Sequence, residues 1–296
     1  LIHNVANYDI VVLNGLWMGP IYEAGRAARR AGIPYVVMPH GMLDPYFLKS
    51  YKQRSVKRGY WALLEGSTIK GAKGLFFTAQ AEEEKARSSY PLSGIKAWQV
   101  GYGIRDPERA PVESRRQDPG TQLLFMSRIH PKKGLDIAIE AVRDSSEEVS
   151  LDVCGDGDSQ YFVDLKMLAA PLGSRVRWHG FTSGEEKWRK IEQCDAMILT
   201  SHQENFGVIV AEAMSVARPV LISREVNIWR EIVEDKAGLV CDDNVDSAKQ
   251  MIEAFRRLSQ EERLEMGLRA RDSFLRRYTI QRSVASFEAA LKEAAK

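Results

Sequence analysis

The 296-residue sequence contains no apolar run approaching the ~18 residues that a membrane-spanning helix needs. Its first residues, Leu1-Ile2-His3-Asn4, carry neither the basic segment nor the apolar core of a secretory leader, and they lack an initiating Met. Cysteine is scarce. Cys154, Cys194 and Cys241 are far apart and flanked by apolar residues, which argues against a disulfide frame or a cysteine metal site. The pattern predicts reduced core thiols in a cytoplasmic protein. No predicted strand is followed by a G-x-G-x-x-G turn with a downstream acidic partner, which disfavours an NAD-dependent oxidoreductase. The net charge of +2 gives no reason to expect nucleic acid. Low-complexity tracts are absent as well.

What is present is alternation. Short β-branched apolar runs over 9–13, 35–38, 74–78 and 97–100 predict four strands, and Ile21, Ala24, Ala28 and Ala31 share one face of a helix between the first two. Residues 105–119 then break the rhythm with prolines, charges and scarcely an apolar side chain, as a linker does. Six further strands are predicted over 122–126, 150–154, 176–179, 196–199, 219–222 and 238–240, before a helical C-terminus from Val245 on. Strand–loop–helix repetition predicts parallel sheets, with ligands at the carboxyl ends of the strands. The expected division is residues 1–104, a linker 105–119, a second domain 120–277, and a last helix 278–296 packing back towards the first domain. A doubly wound domain normally has five or six strands, so the first domain reads as lacking its beginning. Charge is uneven across these parts. Residues 1–104 hold 13 basic and 7 acidic side chains, a net +6, and the remainder hold 29 and 33, a net −4. A basic first part suits a phosphorylated or anionic partner; a chance distribution of solvated charge would read the same.

Two segments concentrate chemistry. Ser127-Arg128-Ile129-His130-Pro131-Lys132-Lys133-Gly134 lies between a strand and a helix supported by Leu135, Ala138, Ile139 and Val142. Cations at that place suit an anion: Arg128 offers a bidentate fork and Lys133 a mobile point charge, together fitting a diphosphate. The alternative is two solvated loop charges. The second segment, Ser201 to Met214, follows another strand, with a helix expected to start near Phe206. Glu204 then sits at the helix N-terminus, and Gly207 lets a ligand approach its free N–H groups. Glu212 stands deeper, so the two carboxylates could grip the sugar and the ribose of a sugar nucleotide.

The stretch from Glu204 through Phe206-Gly207, Glu212-Ala213-Met214 and Pro219-Val220 to Ile222 resembles the signature of glycosyltransferase family 4, retaining enzymes of the GT-B fold. Arg128 and Lys133 resemble the phosphate-binding stretch of that family. Pro39-His40-Gly41-Met42-Leu43-Asp44-Pro45 and Thr78-Ala79-Gln80-Ala81-Glu82 match too. The resemblance implies two Rossmann-like doubly wound parallel-sheet domains facing a cleft, the first of them incomplete, and transfer of a sugar from a UDP- or GDP-sugar to a glycan or lipid-linked acceptor in cell-surface polysaccharide synthesis. It implies that Arg128 and Lys133 stabilise the leaving diphosphate, replacing a metal, so no metal and no cofactor are expected. By the same resemblance Glu204 orients the donor sugar, Glu212 holds the ribose, the Gly207 and Val208 amides lie near the phosphates, and Phe206 belongs to the same donor-binding string. Gly180 and Phe181 line the base pocket, and Gly155 and Gly157 either admit the donor or make a tight turn. His40 corresponds to a histidine facing the reacting sugar, although a strand-end His can equally be structural.

The sequence departs from the family at Ala217 and at Val226-Asn227, where glycines are usual, which predicts an altered pocket wall. A glycine-rich loop expected near the family's N-terminus is absent. A sugar-nucleotide-binding module without catalysis and a same-fold epimerase remain as alternatives. Finally, residues 46–61 mix five cations with five aromatics. They read either as a peripheral contact with the inner face of a membrane or as an amphipathic helix snorkelling its lysines.

Overall fold

The computed structural model describes residues 5–109, 120–157 and 160–296. The chain forms two units, Leu1–Gly103 with Ile280–Lys296, and Ile104–Thr279.

The first unit holds β1 (Val11–Asn14), α1 (Gly19–Ala31), β2 (Tyr35–Met38), α2 (Tyr51–Tyr60), α3 (Gly66–Lys70), β3 (Gly74–Phe77), α4 (Gln80–Ser89) and β4 (Ala97–Gln99). The strands are parallel in the order β1-β2-β3-β4. Pro20 opens α1, where its missing N–H costs nothing. Gly32, at φ 71°, closes it with its N–H on the carbonyls of Ala28 and Arg29. Successive strand side chains point to opposite faces. Tyr35, Val37, Leu75 and Phe77 therefore pack on α1 through Ala27 and Ala28. Val36, Met38 and Phe76 point the other way.

The second unit holds β5 (Thr121–Met126), α5 (Leu135–Arg143), β6 (Val149–Cys154), α6 (Gln160–Ala169), β7 (Val176–Gly180), α7 (Gly184–Gln193), β8 (Ala196–Leu199), α8 (Val208–Ser215), β9 (Val220–Ser223), α9 (Trp229–Glu234), β10 (Gly238–Cys241), α10 (Val245–Arg257) and α11 (Gln260–Arg277). Its six parallel strands run β7-β6-β5-β8-β9-β10 across the sheet. The chain works outward from β5 to β7, then returns to place β8 on the other side of β5. This reversal is the topological switch point at which doubly wound folds bind ligands. β5 and β8 are buried along their whole length, as continuous apolar runs demand. α11 opens with a capping box, in which Ser259 and Glu262 satisfy each other's backbone N–H.

The chain then returns to the first unit as α12 (Ile280–Ala294). Ala290 and Ala294, with Phe287, cover the face formed by Val36, Met38, Phe76 and Val100. The Phe76 and Phe287 rings meet edge-on at 5.3 Å. Trp98 Nε1 donates to Glu293 Oε2 at 2.7 Å.

The ten strands of the described residues lie where the alternation places them, with ends shifted by at most two residues. The start of the expected linker is held by contacts with the second unit. Ile104 N–H donates to the Tyr278 carbonyl at 2.7 Å. Asp106 accepts both Arg271 Nη1 and Nη2, at 3.0 and 2.8 Å, and Arg109 pairs with Glu192 at 2.8 Å and with Glu185. Residues 105–109 are thus docked on the second unit by charge pairs that composition alone does not reveal; residues 110–119 lie outside the described residues. Ala217 is not a pocket wall either. It adopts φ 60° just beyond α8 and is buried, against Gly267 of α11, where an added Cβ would stand 2.2 Å from the Ala217 carbonyl oxygen. It terminates a helix in the core. The three cysteines are buried and free.

Replacing Phe76 by Ala removes a fully buried ring shared between β3 and α12. We expect a loss of about 3–5 kcal/mol, read as a lower denaturant midpoint for the transition of the first unit, with that of the second unchanged.

Candidate active site

Because β5 and β8 are neighbours, the loops that leave their carboxyl ends, 127–134 and 200–207, are forced together. They are fastened by close contacts to backbone carbonyls. The Thr200 hydroxyl donates to the Gly134 carbonyl at 2.6 Å, and His202 N–H to the Lys132 carbonyl at 2.8 Å. A Cβ on Gly134, already at φ 63°, would stand 2.0 Å from the Thr200 carbonyl oxygen. Glycine is the residue this crossing permits.

The two loops meet through charge. Lys133 Nζ donates to Glu204 Oε2, with the side chains 10% and 19% exposed. The other Glu204 oxygen accepts Asn205 N–H at 3.1 Å. The Glu204 backbone is held from the segment that follows β9: its N–H donates to the Glu225 carbonyl at 3.0 Å, and its carbonyl accepts Asn227 N–H at 3.1 Å. Val226 and Asn227, expected to alter a pocket wall, instead fix the backbone that carries Glu204, Val226 pairing with it as an isolated bridge. Lys132 extends to Gln203 Oε1 at 3.2 Å. Arg128 is exposed and forms no ion pair among the described residues.

Behind Arg128 lies a cavity of about 270 Å³, walled by Arg128, Asp156, Phe181, Thr182, Lys187 and Ile209, with Met126 and Cys154 beneath. Its volume is near the low end of small-molecule sites, roughly 300–1,000 Å³. Phe181 is 75% exposed, so its ring is free to cover a planar ligand. Gly207, at φ 80°, precedes α8, whose first N–H groups have no partner within the helix and present a positive pole. Val208 is exposed there and Ile209 reaches the cavity. Glu212, one turn into α8, is paired with Lys187 at 2.7 Å.

The structure shows the surroundings of three further residues of the expected site. Phe206 is buried, edge-on to Tyr278 at 5.4 Å, so its side chain packs in the core. A Cβ on Gly155 would stand 1.9 Å from the Ser127 carbonyl oxygen, and one on Gly157 3.0 Å from Ile129 Cβ. Both glycines therefore serve the approach of their loop to the β5 loop, though Gly155 also borders the cavity. Gly180, at φ 69°, ends β7 and accepts Gly155 N–H at 2.8 Å. Lys187, Thr182 and Asp156 were missed, since nothing local in a charge-rich helix or a short loop distinguishes them.

His130 reports the field of the β5 loop. Its Nδ1 accepts Lys132 N–H at 3.2 Å. Partial burial, and then the charges of Lys132, Arg128 and Lys133, hold its pKa below the ordinary 6.5. No group of three His, Cys, Asp or Glu side chains is placed to hold a metal among the described residues.

In the first unit, His40 lies beyond β2 in the left-handed region at φ 51°, a conformation that a non-glycine residue keeps only when its surroundings enforce it. Enforcement comes from buried Glu82, whose oxygens accept Gly41 N–H at 2.6 Å, Thr78 N–H at 2.8 Å and the Thr78 hydroxyl at 2.7 Å. His40 Nε2 meets Asn14 Oδ1, at the end of β1, at 3.1 Å. Burial lowers the His40 pKa, favouring a neutral ring.

Residues 106–273, more than half of the chain, match the family model of glycosyl transferases group 1. The chain belongs to the group 1 glycosyl transferases. Residues 3–99 match a glycosyl transferase 4-like domain. This group 1 glycosyl transferase is 26% identical to the alpha-D-kanosaminyltransferase of Streptomyces kanamyceticus over 70% of the chain and 57% of that protein. It is 30% identical to the sulfoquinovosyl transferase SQD2 of Arabidopsis thaliana over 74% of the chain and 43% of that protein. The chain thus spans about half the length of the curated relatives it matches. In fold it is similar to Anabaena HepE in complex with UDP (TM-score 0.77, 16% identity, 99% of this chain and 80% of that one). It is also similar to sucrose-phosphate synthase from Thermosynechococcus elongatus (TM-score 0.76, 15% identity, 97% and 74%). Two parallel-sheet α/β units of this kind make it a GT-B protein.

An anion at the β5 loop should oppose the charges that depress His130. We expect its ring, followed by NMR, to titrate below 6.5 in the free protein and to move upward both on adding pyrophosphate and in Arg128→Ala. The unfolded state binds more protons between the folded pKa and 6.5, so this histidine lowers stability as pH falls through that window.

Proposed function

We propose that the protein transfers a glycosyl group from a UDP- or GDP-sugar to a glycan or lipid-linked acceptor with retained anomeric configuration. The observation that carries this reading is that Arg128, Lys187 and Ile209 at the start of α8 wall one cavity in a sheet with a switch point between β5 and β8, while Lys133–Glu204 and Lys187–Glu212 each pair a cation with a carboxylate. As the bond to the anomeric carbon breaks, negative charge grows on the departing phosphate. Fixed cations and amide dipoles stabilise that charge more than they stabilise the bound donor. In this scheme Arg128 and Lys133 take the diphosphate without a metal, Glu204 orients the donor sugar, Glu212 accepts the ribose hydroxyls and Phe181 covers the base. His40, neutral and held in place, accepts or donates a hydrogen bond to a substrate hydroxyl. The leaving phosphate takes the acceptor proton on the same face as the attack. A donor carrying UDP is supported by the solved neighbours that hold UDP or UDP-glucose. Cell-surface polysaccharide synthesis at the inner face of the cytoplasmic membrane is the setting we assign.

Arg128 makes the cleaner test, because its removal orphans no ion-pair partner among the described residues, whereas removing Lys133 leaves a largely enclosed carboxylate unpaired. Arg128→Ala should leave thermal stability within ~0.5 kcal/mol of wild type and lower kcat by ~10²–10³, measured as sugar transfer from the best donor of a UDP, GDP and ADP panel. Turnover within twofold of wild type would refute the role. Donor binding without transfer to any acceptor would mark a binding module.

The basic segment also suits this setting. Lys57 is turned inward, over the Trp17 and Phe47 rings at 4.8 Å each. Lys49, Lys52, Arg54 and Arg58 remain exposed, with Val56 and Leu63 62% and 79% exposed. Vesicles containing anionic lipid should sediment the protein at low salt and release it at high salt; no sedimentation at low salt would remove the membrane contact.

A further inference from the structure

Lys187 stands on α7, apart from every motif that the sequence singles out, yet its ammonium is 2.7 Å from Glu212 Oε1 and the residue lines the same cavity as Arg128 and Phe181. Both partners are mostly enclosed, at 24% and 16% side-chain exposure. The ammonium is itself positioned. It lies 4.6 Å from the centroid of the Trp188 ring, and the Arg109 guanidinium lies 5.6 Å from the same ring while pairing with Glu185 and Glu192 on α7. The helix, the ring and the cation thus form one braced element facing the carboxylate.

We propose that Lys187 is a positioning residue for the ribose of the nucleotide. It holds Oε1 of Glu212, fixing the plane of the carboxylate so that its remaining lone pairs accept the two vicinal ribose hydroxyls. A carboxylate only accepts hydrogen bonds and a hydroxyl can donate one, so the match is between two donors and one oriented acceptor group. The positive charge also offsets a carboxylate that would otherwise repel the diphosphate entering beside it. The inference rests on the reading of Glu212 as the ribose partner, and the test separates the two.

The test uses calorimetric titration with the nucleoside diphosphate that wild type binds tightest among UDP, GDP and ADP, and with its 2′,3′-dideoxy form. Wild type should prefer the ribose form by roughly tenfold or more. Lys187→Met should lose roughly tenfold for the ribose form and less than twofold for the dideoxy form. Lys187→Arg, which keeps the charge and a donor, should retain most of the affinity. Equal losses for both nucleotides would mean that the ammonium touches phosphate or base directly, and unchanged affinities that the pair is only structural; either result overturns the inference. If wild type itself fails to distinguish the two forms, or binds none of the three, the ribose reading of Glu212 falls first. Should Lys187→Met fail to fold, Lys187→Gln decides by the same comparison: a loss confined to the ribose form at a wild-type melting temperature supports the inference, and an equal loss for both nucleotides, or none, overturns it.

Discussion

Lys133 and Glu204 are 71 residues apart in sequence, on loops that come together only because β8 returns to the side of β5. Their charges sit where the sheet changes direction, largely enclosed, and neither would be tolerated there alone, since an unpaired charge at such a depth costs several kcal/mol. The pair therefore does two things. It closes the gap between the loops, and it holds an ammonium and a carboxylate in one fixed orientation. The glycine at 134, the Thr200 hydroxyl and the backbone anchor at Asn227 all hold this one contact in register.

A second lysine–glutamate pair repeats the arrangement one helical turn deeper, between α7 and α8. The loops and helices at this end of the second unit thus carry two matched charge pairs, beside an Arg128 that has no ion pair among the described residues. Such a surface favours an anion near the β5 loop, while its polar groups stay oriented elsewhere. Orientation prepared before binding is what makes electrostatic stabilisation effective, because no dipole must turn when charge develops.

Much of this was legible in the sequence, for identifiable reasons. Buried parallel strands read as short apolar runs, so all ten were visible, and the placement of Arg128, Lys133 and Glu204 followed from their position just after such runs. Their neighbourhood followed from the order of strands in the sheet, which a list of strands does not state. The burial of Phe206 against Tyr278 was not legible, because its partner lies 72 residues away and the helix starts two residues beyond it, at Val208. Gly155 and Gly157 showed the need for glycine but not what comes close to it, and here the neighbour is the β5 loop itself. Lys187 left no local trace at all, as its partner lies 25 residues away on another helix. The docking of Asp106 and Arg109 was hidden in a charge-rich stretch whose partners are equally distant in sequence.

The return of the chain to its first unit has a consequence for synthesis. One face of the first sheet, with Val36, Met38, Phe76 and Val100, is covered by a helix made from residues 280–294. The second unit is continuous from Ile104 to Thr279 and can complete its core as soon as it clears the ribosome. The first sheet, although translated earlier, must wait with that apolar face uncovered until Ile280–Ala294 emerges, some 180 residues later or about 9–36 s at 5–20 residues per second. The half that is born first is the half that matures last, and over that interval it is the portion of the nascent chain most exposed to aggregation and most dependent on protection by chaperones.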